Sequence, residues 1–170
     1  MNVSVREMRL SEVDTVIDYF HRSTPEHLET LGVDPTRLPR PDIWRERLGH
    51  LFSLPVQKRA ALLVAWLLDE HPVGFSSCDK IIFGERANMH LHVIDTEKRN
   101  KGFGAEFVKR SVELYFNTLA LKSLYCEPNA FNVAPNRAVQ KAGFKYVKTY
   151  ITVPGPLNFH QAVTRWAIER

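Results

Sequence analysis

The chain has few of the residues that build a disulfide framework, a zinc ribbon or a membrane anchor. Its 170 residues include only two cysteines, Cys78 and Cys126, which are far apart and form no Cys-x-x-Cys pair. Disulfide scaffolds and cysteine-based zinc sites are therefore not expected. No apolar run is long enough to span a membrane, and the start, Met1–Arg6, has no apolar signal region. These absences predict a cytoplasmic protein with no membrane partner.

The chain also lacks long blocks of one charge sign. Lysine and arginine total 23 and aspartate and glutamate total 19, which gives a formal net charge of +4. Because the basic residues are scattered among acidic ones, no nucleic-acid partner is expected. The hydrophobic content of 44% and charged content of 25% are ordinary for a globular protein. The length suits one domain over residues 1–170.

Hydrophobic periodicity divides the chain into strands and helices. Apolar alternation or short apolar runs predict strands over 3–10, 60–68, 73–78, 88–94, 123–127, 144–151 and 160–168. Helical spacing predicts helices that begin at Ser11 and Pro41 and helices over 104–119 and about 134–142, with a short helical stretch at 27–31. Because a strand–helix–strand unit places its strands in parallel, whereas hairpins are antiparallel, we expect a mixed α/β fold. Its mostly antiparallel sheet should have six to seven strands flanked by about four helices.

The segment Lys98–Gly104 joins the fourth predicted strand to the long helix. Gly102 and Gly104 allow a close backbone approach to an anion, and the first N–H groups of the helix point at it. Lys98, Arg99 and Lys101 add positive charge. The segment does not match the Walker phosphate-binding motif. It does not match the dinucleotide-binding fingerprint either, because Phe107 occupies the position of the third glycine of that motif. The segment therefore predicts a pyrophosphate site, with an ordinary basic turn as the alternative.

A second motif lies between Asn132 and Phe144. Gly143 is typical of a helix end, but that explanation leaves Asn132 unaccounted for. Together with Arg99-x-x-Gly102-x-Gly104, this segment resembles the GNAT superfamily of N-acyltransferases across essentially the whole chain. The resemblance implies acetyl-coenzyme A as the cofactor. The residues that match the family's cofactor-binding positions are Val93, Ile94, Arg99, Asn100, Lys101, Gly102, Phe103, Gly104, Asn132 and Asn136.

The resemblance also implies a reaction and its partners. Glu127-Pro-x-x-x-Asn132 is similar to aminoglycoside 6′-N-acetyltransferases and hydroxamate-siderophore acyltransferases, over about the last third of the chain. We therefore expect acetyl transfer to a primary amine of a small molecule, by direct attack in a ternary complex. A homodimer is left open. The alternative is a non-catalytic acyl-CoA sensor, because the tyrosine that serves many family members as general acid is Val139 here. Tyr125, Cys126 and Tyr150 remain as candidate acids.

The reaction needs a base, because an alkyl amine is mostly protonated at neutral pH. Asn88, His90, His92 and Ile94 share one face of a strand, and imidazole is a competent base. His90 is therefore the first candidate and Glu127, at the end of the next strand, is the second. A structural histidine bonded to a backbone carbonyl is equally open. No metal site is expected, because His90-x-His92 has no third ligand nearby in sequence.

The acceptor site is less well marked. In this fold the acceptor usually enters between the early helices and the loop that joins the last two strands, which correspond to residues 23–54 and 152–160. Trp44, His27, Glu29 and Asp34 could line such a pocket, although aromatic residues at helical spacing are more often core. The oxyanion donor in the family is a backbone N–H near Ile94.

Overall fold

In a computed structural model, which describes residues 1–95 and 101–170, one seven-stranded sheet is flanked by helices. The strands are β1 Val3–Glu7, β2 Leu62–Leu68, β3 His71–Ile82, β4 Arg86–Val93, β5 Ser123–Cys126, β6 Lys145–Thr152 and β7 Gln161–Glu169. The α-helices are α1 Val13–His21, α2 Pro25–Leu31, α3 Pro41–Ser53, α4 Gly104–Leu119 and α5 Val133–Lys141. Within the described ranges, no helix combines the length and the apolar character needed to cross a membrane.

The strands lie in the order β1-β2-β3-β4-β5-β7-β6. In the described part of the chain, β4 and β5 pair in parallel and the other neighbours pair antiparallel. The predicted mixed, mostly antiparallel sheet is thus confirmed. The described residues form five α-helices rather than about four, because the short helical stretch becomes α2. Thr24 caps α2, where its side chain accepts the N–H of His27 at 3.2 Å, and Pro25 is the first helical residue.

Helices cover both faces of the sheet. One core lies under α4 and α5, where Trp66 and Phe107 stack with ring centroids 5.0 Å apart. The other lies under α1, α2 and α3 and includes Phe20 and Phe75. Because both faces are covered, all seven residues of β2 are buried, which explains its continuous apolar sequence.

The start of the first helix differs from the prediction. A single 3-10 turn, Leu10–Glu12, precedes α1, and Ser11 does not cap the helix. Instead the Glu12 carboxylate accepts the backbone N–H of Arg9 at 2.7 Å and two hydrogen bonds from the Arg6 guanidinium, at 2.6 and 2.9 Å. A charged, bidentate acceptor is stronger than a serine hydroxyl, so Glu12 fixes this turn.

The cluster of Arg6, Arg9 and Glu12 makes the stability of the fold depend on pH. The Arg6 hydrogen bond, against opposing desolvation, lowers the pKa of Glu12 from 4.5 to about 2. A lowered folded-state pKa stabilises the fold above pH 4.5, and the contribution is lost as pH falls towards 2. We expect Glu12→Gln to lower the free energy of unfolding at pH 7 by about 1–2 kcal/mol after solvent screening. Urea unfolding at pH 7 and pH 3 measures it.

The difference between Glu12→Gln and wild type should shrink at pH 3. Asp42→Asn is the matched control, because the Asp42–Arg40 ion pair is mostly exposed and should contribute almost nothing. An equal loss in both variants, or a Glu12→Gln loss that persists unchanged at pH 3, would contradict the assignment.

Candidate active site

The sheet opens between β4 and β5. The two strands pair from Arg86–Ser123 to Met89–Cys126. Beyond this point β4 stays paired with β3, whereas the chain after Glu127 follows β7, to which Asn129 forms an isolated bridge at Val163. The sheet therefore splits at the carboxyl ends of its parallel strands, where ligand sites of α/β sheets commonly form.

A cavity of about 510 Å³ occupies this opening. Residues from both faces of β4 line it, including His90 on one face and Met89 on the other. The cavity therefore extends from the side of α1 and α3 into the gap between β4 and β5. Both base candidates, His90 and Glu127, border it.

His90 is held by an aspartate on the neighbouring strand. Its Nε2 lies 3.0 Å from Oδ1 of Asp79. His90 pairs with Ser77 and Asp79 with Asn88, so the two side chains are diagonal neighbours on one face of the sheet. With Nε2–H donating to the carboxylate, Nδ1 carries the lone pair, as a base requires. Asp79 thus sets the tautomer and the orientation of the ring.

Sequence reasoning missed Asp79 because the predicted third strand stopped at Cys78. The strand continues to Ile82, with a register shift after Asp79 and a left-handed residue, Lys80, at φ 49°. Lys80 Nζ donates to the carbonyl of Pro154 at 3.1 Å, which ties this irregular segment to the loop between β6 and β7. Extending the strand by one residue in the sequence would have placed Asp79 opposite Asn88.

Glu127 lies in a dense hydrogen-bond network. Its side chain is only 3% exposed. Its Oε1 accepts Asn88 Nδ2 at 3.1 Å and lies 3.2 Å from Arg165 Nη1, while the Tyr150 hydroxyl donates to Oε2. Three donors therefore occupy most of the acceptor capacity of the carboxylate.

The candidate acids occupy different environments. Burial, reinforced by the Glu127 carboxylate, raises the pKa of Tyr150 above its ordinary value. Burial raises the pKa of the Cys126 thiol to about 12. The Arg165 guanidinium carbon lies over the Tyr125 ring, 3.9 Å from the ring centroid. Val139, at the usual position of the acid, is fully buried in the core under α4. Tyr150 is thus the only one of these residues whose proton contacts a base candidate in the described structure.

Two distant segments line one side of the cavity, and both fall within the residues 23–54 and 152–160 that were expected to form the acceptor entry. Residues 31–48 and the loop 154–158 both line it. The carbonyl of Gly32 accepts Asn158 Nδ2 at 2.9 Å and Gln161 Nε2 at 2.8 Å, and the N–H of Asp34 donates to the carbonyl of Leu157 at 2.8 Å. The two segments are therefore joined by backbone and side-chain hydrogen bonds.

The four predicted acceptor residues are not together. Trp44 lines the large cavity. Glu29 lines a second, smaller pocket, and Asp34 caps the 3-10 turn Pro35–Arg37 through the N–H of Thr36 at 2.9 Å. His27 Nε2 lies 3.0 Å from the Tyr19 hydroxyl. Among the four, Trp44 is thus the one with a direct place in the large cavity.

The start of α4 has the features of an anion site. Gly102 adopts φ +84°, and a Cβ there would meet no atom within 4 Å among the described residues. Within that part of the chain, no side chain caps the first N–H groups of α4. Phe103 packs against the core and Lys101 is exposed. Lys98, Arg99 and Asn100 lie outside the described residues.

The other residues predicted to bind the cofactor lie in different structural environments. Asn132 lines the large cavity. Asn136 holds the preceding turn, because its Nδ2 donates to the carbonyls of Asn129 and Asn132 and its Oδ1 accepts Trp166 Nε1. Val93 and Ile94 pack on opposite cores, and the Ile94 N–H donates to the carbonyl of Val73 at 2.9 Å. The expected oxyanion donor is therefore engaged in the sheet. In residues 1–95 and 101–170, no cluster of three His, Cys, Asp or Glu side chains is placed to hold a metal.

Comparison with known proteins decides the family. The profile of the acetyltransferase (GNAT) domain matches residues 2–145. The chain belongs to this family. The predicted resemblance and the N-acetyltransferase class are thus confirmed.

Individual proteins of known name resemble the chain in sequence or in fold. The chain is 25% identical to an aminoglycoside N(6′)-acetyltransferase type 1 of Klebsiella pneumoniae, over 99% of this chain and 86% of that protein. The structure resembles aminoglycoside acetyltransferase AAC(6′)-Ib in complex with coenzyme A, with a TM-score of 0.74 and 17% identity over 99% of this chain and 95% of the other. It also resembles spermidine N-acetyltransferase from Vibrio cholerae in complex with CoA and spermine, with a TM-score of 0.74 and 14% identity over 98% and 95%.

Proposed function

We propose that this acetyltransferase transfers the acetyl group of acetyl-coenzyme A to a primary amine of a small molecule, by direct attack in a ternary complex. The observation that carries the proposal is the Asp79–His90 pair on the wall of a cavity that enters the split between β4 and β5. The proposal includes a single domain over residues 1–170 and a cytoplasmic location.

The donor is acetyl-coenzyme A, in keeping with the family and with the coenzyme A complexes of structurally similar proteins. Gly102 and the uncapped start of α4 would hold its pyrophosphate, because free N–H groups and the helix dipole favour an anion. Lys101 would add charge at the same place. Asn132, on the cavity wall, would contact the pantetheine arm.

His90 acts as the base in this proposal. Its Nδ1 takes a proton from the acceptor ammonium, and the free amine then attacks the thioester carbonyl. The tetrahedral intermediate collapses with cleavage of the C–S bond, the second proton of the attacking nitrogen passes to the coenzyme A thiolate, and the imidazolium releases its proton to water. Asp79 keeps Nδ1 free and stabilises the imidazolium, as a carboxylate does for a catalytic histidine.

Glu127 is the second candidate for the base. Its contacts favour a different role, because three donors already bind its oxygens and Arg165 forms an ion pair with it. We therefore assign Glu127 to holding the end of β5 and the cavity wall.

Thiol release with an amine panel tests the proposed reaction. Purified protein, acetyl-CoA and each amine are monitored with a thiol reagent, and titration calorimetry measures acetyl-CoA and CoA binding. We expect binding and amine-dependent thiol release. Tight binding without release for any amine would favour the acyl-CoA sensor, and no binding at tens of micromolar would exclude both functions.

The cofactor loop gives a matched pair of variants. Gly102→Ala forces a side chain into a left-handed conformation at a cost of about 1–2 kcal/mol, so the loop should change shape and CoA should bind roughly tenfold more weakly. Gly84→Ala is the control, because Gly84 has a similar φ of +78° and open surroundings but lies in the turn between β3 and β4. Calorimetry should show unchanged CoA affinity for Gly84→Ala. Equal CoA affinity in both variants would refute the assignment of this loop.

A further inference from the structure

The large cavity has a mostly apolar wall on its acceptor side. Six of its lining residues come from α1, α3, β2 and β3 and carry only carbon surface or an indole: Phe20, Trp44, Leu48, Leu51, Leu63 and Phe75. Phe20 and Trp44 are in contact, with ring centroids 5.7 Å apart. Such a wall recognises an apolar ligand body.

The cavity has few carboxylates, and their oxygens are largely engaged in hydrogen bonds. Among the described lining residues, Asp79 and Glu127 are the acidic ones. Asp79 is bonded to His90, and Glu127 accepts Asn88, Tyr150 and Arg165. Because Glu127 is saturated and Asp79 is engaged only through Oδ1, the wall offers one carboxylate that can compensate a single positive charge but not several on one ligand.

Two arginines add positive charge to the same wall. Arg37 and Arg47 line the cavity. Arg37 has a loose ion pair with Asp34 at 3.6 Å, and within the described part of the chain Arg47 has no ion pair. Arg47 and Arg37 would therefore repel a polycation, since juxtaposed like charges disfavour a partner.

The size of the cavity excludes a packing defect. Protein interiors hold few voids larger than a water molecule, and apolar ligand sites typically measure some hundreds of cubic ångströms. An opening of about 510 Å³ beside an oriented histidine therefore has the dimensions of a substrate site.

We infer that the acceptor is a monoamine carried on an apolar body, such as an aryl- or branched alkylamine, and not a polycationic amine. The inference rests on the proposed function, since it assigns the substrate class of the same site. The apolar body lies against Trp44, Leu48 and Leu51, and its single amino group reaches His90. The arginines make the site selective against polyamines and aminoglycosides.

The test compares phenethylamine and 3-methylbutylamine with spermidine and kanamycin. Thiol release should give a kcat/KM at least tenfold higher for the monoamines. Calorimetry with the CoA-bound protein should show binding of phenethylamine and weaker binding of spermidine. A higher kcat/KM for spermidine or kanamycin would overturn the inference and leave the transferase function intact.

Variants test the arginines and the apolar residues of the cavity wall separately. Arg47→Ala should raise the ratio of kcat/KM for spermidine to kcat/KM for phenethylamine at least threefold, while Arg45→Ala, which removes an exposed arginine paired with Asp14, should leave that ratio unchanged. Trp44→Ala should raise the KM for phenethylamine about tenfold with little change in kcat, and Ile43→Ala is its control. No selectivity change in Arg47→Ala together with an unchanged KM in a folded Trp44→Ala would refute the inference.

The two levels of the proposal can fail independently. If no amine is acetylated but phenethylamine binds more tightly than spermidine, the transferase function fails and only the preference of the cavity for an apolar monoamine ligand stands. If only polycations are acetylated, the acceptor class fails and the transferase function stands.

Discussion

His90→Ala is expected to lower turnover with any accepted amine by roughly 10²–10⁴-fold and to leave the affinity for CoA unchanged. The expected loss follows from the position of His90 on the cavity wall, where Asp79 fixes its free nitrogen. Steady-state kinetics measure the loss of turnover, and calorimetry measures the affinity for CoA.

Two further variants separate the base from its surroundings. Asp79→Asn should preserve the hydrogen-bonded position but remove the charge, so kcat should fall and KM should change little. Glu127→Gln keeps the size of the side chain at the end of β5 and should cost far less than His90→Ala. If Glu127→Gln abolishes activity and His90→Ala does not, Glu127 is the base and His90 has a structural role.

Gly32→Ala is expected to destabilise the fold by about 2–4 kcal/mol. Gly32 has φ +72°, and a Cβ there would clash with the side-chain amide of Gln161. Gln161 is buried, and its amide bonds Gly32, Phe159 and Asn129, so it cannot move without losing these partners. Urea unfolding measures the loss, and kcat/KM should fall because Gly32 joins the two segments that line the cavity.

Gly49→Ala, in the same half of the molecule, is expected to have the opposite effect on stability. Gly49 lies inside α3, and a Cβ there meets nothing within 4 Å, so alanine should stabilise the protein by about 0.5–1 kcal/mol. If the two variants shift stability in the same direction, local backbone conformation does not govern these positions.

The sequence predicted the sheet and the shared face of β4 well, because both depend on local periodicity. Asn88 and His90 do lie on one face, bonded to Glu127 and Asp79. The sequence could not supply those partners. Asp79 follows a strand whose extension includes a left-handed residue, which no periodicity marks.

The environment of Glu127 was equally inaccessible from the sequence. Tyr150 and Arg165 reach it from β6 and β7, and their positions depend on the strand order β5-β7-β6 rather than on neighbouring residues. The prediction for the start of α1 was wrong for a different, local reason. Ser11 fits the general preference for a capping serine, but the Glu12 carboxylate has the stronger donors of Arg6 and Arg9.

The hydrogen bonds at Gly32 bear on how acceptor specificity can change. They join segments 126 and 129 residues apart in sequence, through Asn158 and Gln161. Grafting the early segment of a relative, without its loop between the last two strands, would disturb the Gly32 partner of the buried Gln161 amide and of the partly buried Asn158 amide. With the proposed acceptor site, we therefore expect an exchange of both segments to transfer specificity, and an exchange of either one alone to yield an unstable protein.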